Sequence, residues 1–362
     1  MPFNTKQNKS ICILPWIHKY RSVGGHESPC CIAENFQNET MQDIRTQMLS
    51  DKKPKVCDIC YKSESNGGWS RRLEETTKWI SKHGAPDIDK PKIQYLDIRF
   101  DPTCNMKCKT CNPGSSTLWQ KEKGVHYPVN QDSYEEFSKI DKTNLKQVYL
   151  AGGEPTFIKK YLDFLNDLYE CNPECEVVIN SNLKSLSNEW KNVFVKFKNL
   201  SLICSCDATD QLGTYIRYPL NWETFEKNVQ FAVKNVNHFE FNMVCSNLNT
   251  HKIFETCNWM SKYTKNIGLE ILSKPEIFSA KSVPKNFRQV YIESIQKLLK
   301  FPVSIHKYAK FRNNINYLIK LYSQDNYDSN LHANLFEEIK EQDSHRNLKL
   351  KDVDSFLYNW IK

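Results

Sequence analysis

Between residues 94 and 272 the chain alternates two hydrophobic patterns. Short apolar runs fall at 94–100, 147–151, 176–180, 200–206, 239–245 and 267–272, each with the length and composition of a buried strand. The segments at 160–169, 189–197, 222–236 and 252–263 instead bring apolar residues back every three or four positions, the period of a helix packed on one side. Strand then helix, repeated, predicts an α/β fold with a parallel sheet and helices outside it. Strand side chains alternate, so Ile203, Ser205 and Asp207 share one face while Leu202, Cys204 and Cys206 share the other. The first set is expected to face inward and the cysteines to lie against the helices.

The strand ends are polar. The third run closes on Asn180, Ser181 and Asn182, the fourth carries Ser205 and Asp207, and the fifth is followed by Ser246 and Asn247. Each alone is an ordinary loop cap, but their repetition along one rim points to a site, because function in parallel barrels gathers at the carboxyl ends of strands. The loop after the first strand holds Cys104, Cys108 and Cys111 in a CxxxCxxC run. Three thiolates at that spacing suit three corners of a 4Fe-4S cube and leave its fourth iron without a protein ligand. The CxxC half alone equally fits a zinc knuckle or a redox pair. The second strand ends in Gly152, Gly153, Glu154 and Pro155. Two glycines let backbone approach a ligand closely, and Glu154 offers an acceptor to an ammonium group.

Through Cys104, Cys108 and Cys111 followed by Gly152-Gly153-Glu154, the chain resembles the radical S-adenosylmethionine (radical SAM) superfamily. The resemblance spans the strands from 94 to about 272 and implies a partial (β/α)6 TIM-like barrel. It also implies a chemistry, in which the open iron chelates the methionine part of S-adenosylmethionine. Reductive cleavage then gives a 5'-deoxyadenosyl radical that removes a hydrogen atom from a substrate. On the same basis Gly152, Gly153 and Glu154 hold the methionine ammonium, while Asn180, Ser181, Asn182, Ser205, Asp207 and Asn247 line the cofactor. Arg217 pairs with the methionine carboxylate, or stands as a surface charge. Many family members carry an aromatic residue before the third cysteine where this chain has Thr110, which leaves the adenine contact there to backbone.

The first ninety residues carry further thiols in Cys12, the adjacent Cys30 and Cys31, and Cys57 and Cys60. Their pattern is similar to the SPASM/twitch auxiliary-cluster domains of radical SAM enzymes, although those usually follow the barrel. The resemblance implies a second, fully ligated 4Fe-4S cluster on Cys12, Cys30, Cys57 and Cys60, with Cys31 as a packed thiol or substitute ligand. A structural zinc site with four cysteine ligands fits the same spacing. Gly67-Gly68 and a helix near 70–82 lead to the first strand. The expected organisation is a Cys-rich module with linker helix at 1–90, a radical SAM core at 91–280 and a basic helical extension at 281–362.

With 362 residues, 40% of them hydrophobic and 12% aromatic, the chain has enough apolar material for a full core. It lacks a run of roughly 20 apolar residues for a membrane span. Residues 11–17 are broken by Pro15 as a signal peptide, so a cytoplasmic protein with reduced thiols is expected among its fourteen cysteines. Cys171, Cys175, Cys204, Cys206, Cys245 and Cys257 are expected to be buried thiols. Net charge is +8, with eight Lys or Arg and one acid between 285 and 320, interleaved with apolar residues at helical spacing. That stretch reads as a helix packed across the barrel with lysines to water, or as a surface for an acidic peptide, nucleotide or RNA. The expected substrate is a peptide or protein and the expected reductant a flavodoxin or ferredoxin. The alternatives are a nucleotide- or RNA-modifying radical SAM enzyme and a zinc-stabilised binding protein.

Overall fold

The computed structural model describes residues 3–33, 36–65, 67–128 and 133–362. Its strands are β1 His18–Arg21, β2 Glu27–Ser28, β3 Tyr95–Ile98, β4 Gln147–Leu150, β5 Glu176–Ser181, β6 Leu200–Ser205, β7 His238–Cys245 and β8 Ile267–Ile271. They form one open sheet in the order β2-β1-β3-β4-β5-β6-β7-β8. From β3 to β8 neighbours run parallel and in sequence order, the parallel sheet expected from the alternation and arranged as the resemblance to a partial barrel implies. All six expected strands are present, with ends within two residues of those read from the pattern.

β1 and β2 are additions to that expectation. β1 pairs parallel with β3, and β2 pairs antiparallel with β1, so the amino-terminal segment extends the barrel's own sheet. Neither strand has an apolar run: β1 reads His-Lys-Tyr-Arg and is recognisable only by its partner.

Outward-facing Leu96, Ile98, Val148, Leu150, Val177, Ile179, Leu202, Cys204, Phe241 and Leu269 share one core with the helices Lys159–Cys171, Asn188–Lys196, Trp222–Asn235 and Ile253–Met260. Cys175, Cys206, Cys245 and Cys257 are buried there too, while Cys171 is exposed at the end of its helix. As expected, Ile203 and Ser205 face the concave side, where they remain partly accessible.

The concave face is charged. Asp97 of β3, Glu176 of β5, Glu240 of β7 and Glu270 of β8 alternate with the outward apolar set. Carboxylates in a partly dry space need cations, and two helices bring them. Arg71–His83, N-capped by Ser70, offers Arg71 to Asp97 at 3.6 Å and Lys82 to Glu176 at 2.9 Å, and its Trp79 stacks on Tyr95. Ile305–Ser323 offers Lys307 to Glu240 at 2.7 Å and Lys310 to Glu270 at 2.6 Å, with Glu74 at 3.1 Å from Lys310. Burial raises the Glu240 carboxyl, but His238 and Lys307 hold it below its ordinary range. The basic stretch is thus partly an internal counter-charge: two of its lysines face the sheet, and its Tyr291, Ile295, Phe311, Ile315 and Leu318 are buried. Trp360 is buried as well. Among the described residues, no helix is long and apolar enough to cross a membrane.

Candidate active site

The loop from Asp101 to Pro113 leaves the carboxyl end of β3 with little regular structure of its own, so its shape is fixed by backbone bonds to its neighbours. Gly153 N–H donates to the Asp101 carbonyl at 3.2 Å, Glu154 N–H to Thr103 at 2.8 Å, and Lys107 and Lys109 N–H to Tyr218 and Ile216, both at 2.7 Å. Trp119 Nε1 and Ser116 Oγ donate to the carbonyls of Cys108 and Met106. Held this way, Cys104, Cys108 and Cys111 are partly buried and close enough to act on one another. Burial first, then neighbouring thiol charge, pushes Cys104 and Cys111 up to about 12, and burial raises Cys108 against the pull of Arg217. Such thiols ionise on binding metal rather than before it.

The glycines serve this loop. A Cβ on Gly153 would overlap the Thr103 carbonyl and the Pro102 backbone, and Gly152, at φ 121°, would meet the Asp101 carbonyl and the Tyr161 hydroxyl. The close approach they permit is to the cysteine loop itself. Glu154, 1% exposed, ties the same loop to the end of β5. Its Oε1 accepts from Thr156 N–H, Thr156 Oγ1 and Ser181 Oγ, and its Oε2 from Asn182 N–H at 2.7 Å. Burial still leaves its carboxyl above the ordinary range. One oxygen is filled by protein donors, while Oε2 retains a lone pair.

Asn182 Nδ2 donates to Asn105 Oδ1 and lies 4.0 Å from Cys104 Sγ, and Lys184 Nζ donates to the Asn105 carbonyl. Ser205 Oγ donates to Asn180 Oδ1 at 3.2 Å on the concave rim. Both Asp207 oxygens accept from protein, Oδ2 from Arg217 Nη1 at 2.7 Å and Oδ1 from Val244 N–H at 2.9 Å. It therefore orients Arg217. Arg217 is buried beside Cys108 with its Nε unpartnered, which removes the surface-charge reading. Asn247 is placed elsewhere: its amide donates to Ile277, Ser279 and Ser282, and it anchors the turns after β8 instead of facing the cysteine loop.

A wholly buried lysine inside the motif escaped the sequence pattern. Lys109, 0% exposed, pairs with Asp343 at 2.7 Å, and Asp343 also accepts from Tyr215 OH at 3.1 Å. Burial pushes Lys109 down to about 8 despite that carboxylate. Three residues on, Arg346 forks onto Glu122, which also takes Lys107. The helix Ser329–Arg346 straps the cysteine loop from outside, through contacts more than 200 residues apart in sequence.

No family model matches the chain. It is similar to GTP 3',8-cyclase of Helicobacter pylori (strain ATCC 700392 / 26695), 24% identical over 205 residues, 54% of this chain and 60% of that protein. It is also similar to 7-carboxy-7-deazaguanine synthase of Clostridium acetobutylicum, 35% identical over 103 residues, 28% of this chain and 41% of that protein. The matched part is thus less than two thirds of each of these relatives. Streptococcus suis SuiB bound to S-adenosylmethionine superposes with a TM-score of 0.42 at 15% identity, over 71% of this chain and 62% of that one. The two sequence likenesses accompany the resemblance to the radical SAM superfamily carried by Cys104, Cys108, Cys111 and Gly152-Gly153-Glu154.

A second set of thiols gathers in the amino-terminal segment. Cys12, Cys30, Cys57 and Cys60 line one pocket together with Arg71 and Arg72. Burial, then the charges of Cys57, Cys30 and Cys60, raises the Cys12 thiol, so the four stand within electrostatic reach of one another. Cys31 points away: its Sγ accepts from Arg71 Nη1 at 2.9 Å, on the side of Asp97 and Arg99. Among the described residues no three His, Cys, Asp or Glu side chains gather as one metal ion requires. Arg71 and Arg72 beside the quartet supply positive charge that suits thiolates.

Proposed function

We propose that Cys104, Cys108 and Cys111 ligate the catalytic 4Fe-4S cluster and that Cys12, Cys30, Cys57 and Cys60 ligate an auxiliary one in a twitch-like module. The observation that carries it is that β3 lies beside both thiol sets. The cysteine loop continues β3, and Arg71, which lines the thiol quartet, reaches 3.6 Å from Asp97 on that strand. Held by Cys104, Cys108 and Cys111, an open 4Fe-4S cluster would supply the one-electron reduction of S-adenosylmethionine that makes hydrogen abstraction from a substrate possible.

The chain's own residues bind and orient. Arg217, fixed by Asp207, directs its unpartnered Nε and remaining N–H groups to the methionine carboxylate beside Cys108. Glu154 Oε2 and the carbonyls around Gly152 and Gly153 take the ammonium. Asn180, Ser181, Asn182 and Ser205 form the polar rim against the ribose and methionine. The substrate lies on the concave face between the two clusters, and the reading favoured by the twitch-like thiol pattern is a peptide or protein. The electron donor is a flavodoxin or ferredoxin and the setting is the cytoplasm.

A nucleotide substrate is the second reading, favoured by the printed names of the relatives, a GTP cyclase and a deazaguanine synthase. The basic stretch adds less to it than its charge suggests, because Lys307 and Lys310 pair with carboxylates of the sheet. Deuterium transfer decides: with S-adenosylmethionine and reductant, a deuterated peptide pool is expected to label 5'-deoxyadenosine. Label arising only from nucleotides would replace the peptide reading with the second.

A further inference from the structure

On the outer side of the strap helix lies a cavity of about 320 Å³ with an apolar floor, including Phe336, Leu348 and Tyr358, and lysines on its rim. Four lysines line it against a single carboxylate, Asp343, and that carboxylate is already held by Lys109. Lys340, Lys349 and Lys351 are exposed. Among the described residues Lys340 has one loose partner, Glu337 at 3.7 Å, and neither Lys349 nor Lys351 has an ion pair. The groove is therefore cationic around an apolar centre, the arrangement of a protein-docking patch with a charged rim.

Its position gives it a purpose. Asp343 lines the groove on one side and holds Lys109 on the other, and Lys109 is bonded to Cys108. One side chain separates the groove from the catalytic loop. Building on the proposed cluster at Cys104, Cys108 and Cys111, we infer that this groove docks an acidic one-electron carrier protein and brings its redox group to the cluster from the side away from the substrate. Acidic side chains on the carrier meet Lys340, Lys349 and Lys351, and an apolar contact fills the floor. The carrier gives up one electron, the cluster gains it, and no bond is made or broken at the groove.

The test compares two reductants on the cluster-loaded enzyme, following loss of the cluster's visible absorbance by stopped flow. With reduced flavodoxin at low salt, K340E/K349E/K351E is expected to be reduced about 10- to 100-fold more slowly than the unmodified chain, with the difference fading as salt rises. K340R/K349R/K351R is expected to keep the original rate. Dithionite, too small to need docking, is expected to reduce all three alike. Equal rates with flavodoxin, alongside normal dithionite reduction, would overturn the groove and leave the cluster assignment standing. Salt-sensitive binding of RNA at these lysines with no flavodoxin effect would overturn it in favour of another partner. A chain that loads no dithionite-reducible cluster would instead remove the cluster assignment, and the groove's role with it.

Discussion

Asp343→Ala removes the carboxylate that keeps Lys109 charged in a space closed to water. In the native chain Lys109 Nζ has Asp343 at 2.7 Å, Gln342 Oε1 at a weak 3.4 Å and the Tyr215 ring at 4.0 Å. Breaking one side of a buried pair costs about 3–5 kcal/mol because the remaining charge is stranded. The Tyr215 ring offsets about 2 kcal/mol of that, and the net loss is about 1–3 kcal/mol. The cheapest response is for the strap helix Ser329–Arg346 to lift while the rest stays folded. At 1.4 kcal/mol per decade, that raises its open population about 5- to 150-fold. Hydrogen exchange on the apo protein reads this directly, as faster exchange of the 329–346 amides with the barrel strands unchanged. In the iron-loaded protein, oxygen-driven loss of the catalytic cluster is expected to accelerate. Lys109→Met, which removes the charge that Asp343 satisfies and leaves Asp343 with Tyr215 and Leu350, is expected to be milder. Exchange in Asp343→Ala within twofold of the parent would refute the strap.

Three further outcomes follow from the geometry. Gly153→Ala drives a methyl into the Thr103 carbonyl and Pro102 backbone, where nothing is flexible; a loss of about 2–3 kcal/mol in denaturant unfolding and poor cluster loading are expected. Cys30→Ala is expected to lower the content from about eight irons per chain to about four, whereas Cys31→Ala, whose thiol faces Arg71, leaves about eight; the reverse order would exchange their roles. His18 is buried, with Nδ1–H donating to the Pro29 carbonyl at 3.1 Å and Nε2 unpartnered, and burial pushes it down to about 4. The unfolded chain, with an ordinary histidine near 6.5, binds the extra proton between those values. Stability is therefore whole above pH ~6.5 and falls by up to about 3 kcal/mol as pH drops to ~4; His18→Gln is expected to lose that part of the slope in unfolding measurements.

The strands from β3 to β8 were legible because their outward faces bury apolar side chains against helices, which leaves a continuous sequence signal. Their inward faces were not, since Asp97, Glu240 and Glu270 look like solvent-facing residues until Arg71, Lys307 and Lys310 are seen opposite. β1 was hidden for the same reason, a four-residue strand of polar side chains paired with β3. The cysteine trio announced itself by spacing, and Cys30 was separable from Cys31, but the use of the glycines was not. They accommodate the loop's own backbone, a demand that only the folded distance from Gly153 to Thr103 expresses. Lys109 and Asp343 meet across 234 positions, and no local pattern encodes that pairing. Asn247 looked like a rim residue because a strand-end position says nothing about which neighbour takes the side chain first.

The most direct measurement is anaerobic incubation of the iron-loaded chain with S-adenosylmethionine and dithionite, followed by chromatography for 5'-deoxyadenosine. Formation of 5'-deoxyadenosine by the parent chain, and its absence in Cys104→Ala, Cys108→Ala and Cys111→Ala, is the expected result. A loaded, reducible parent chain that yields none, or single-cysteine variants that yield as much as the parent, would contradict the account.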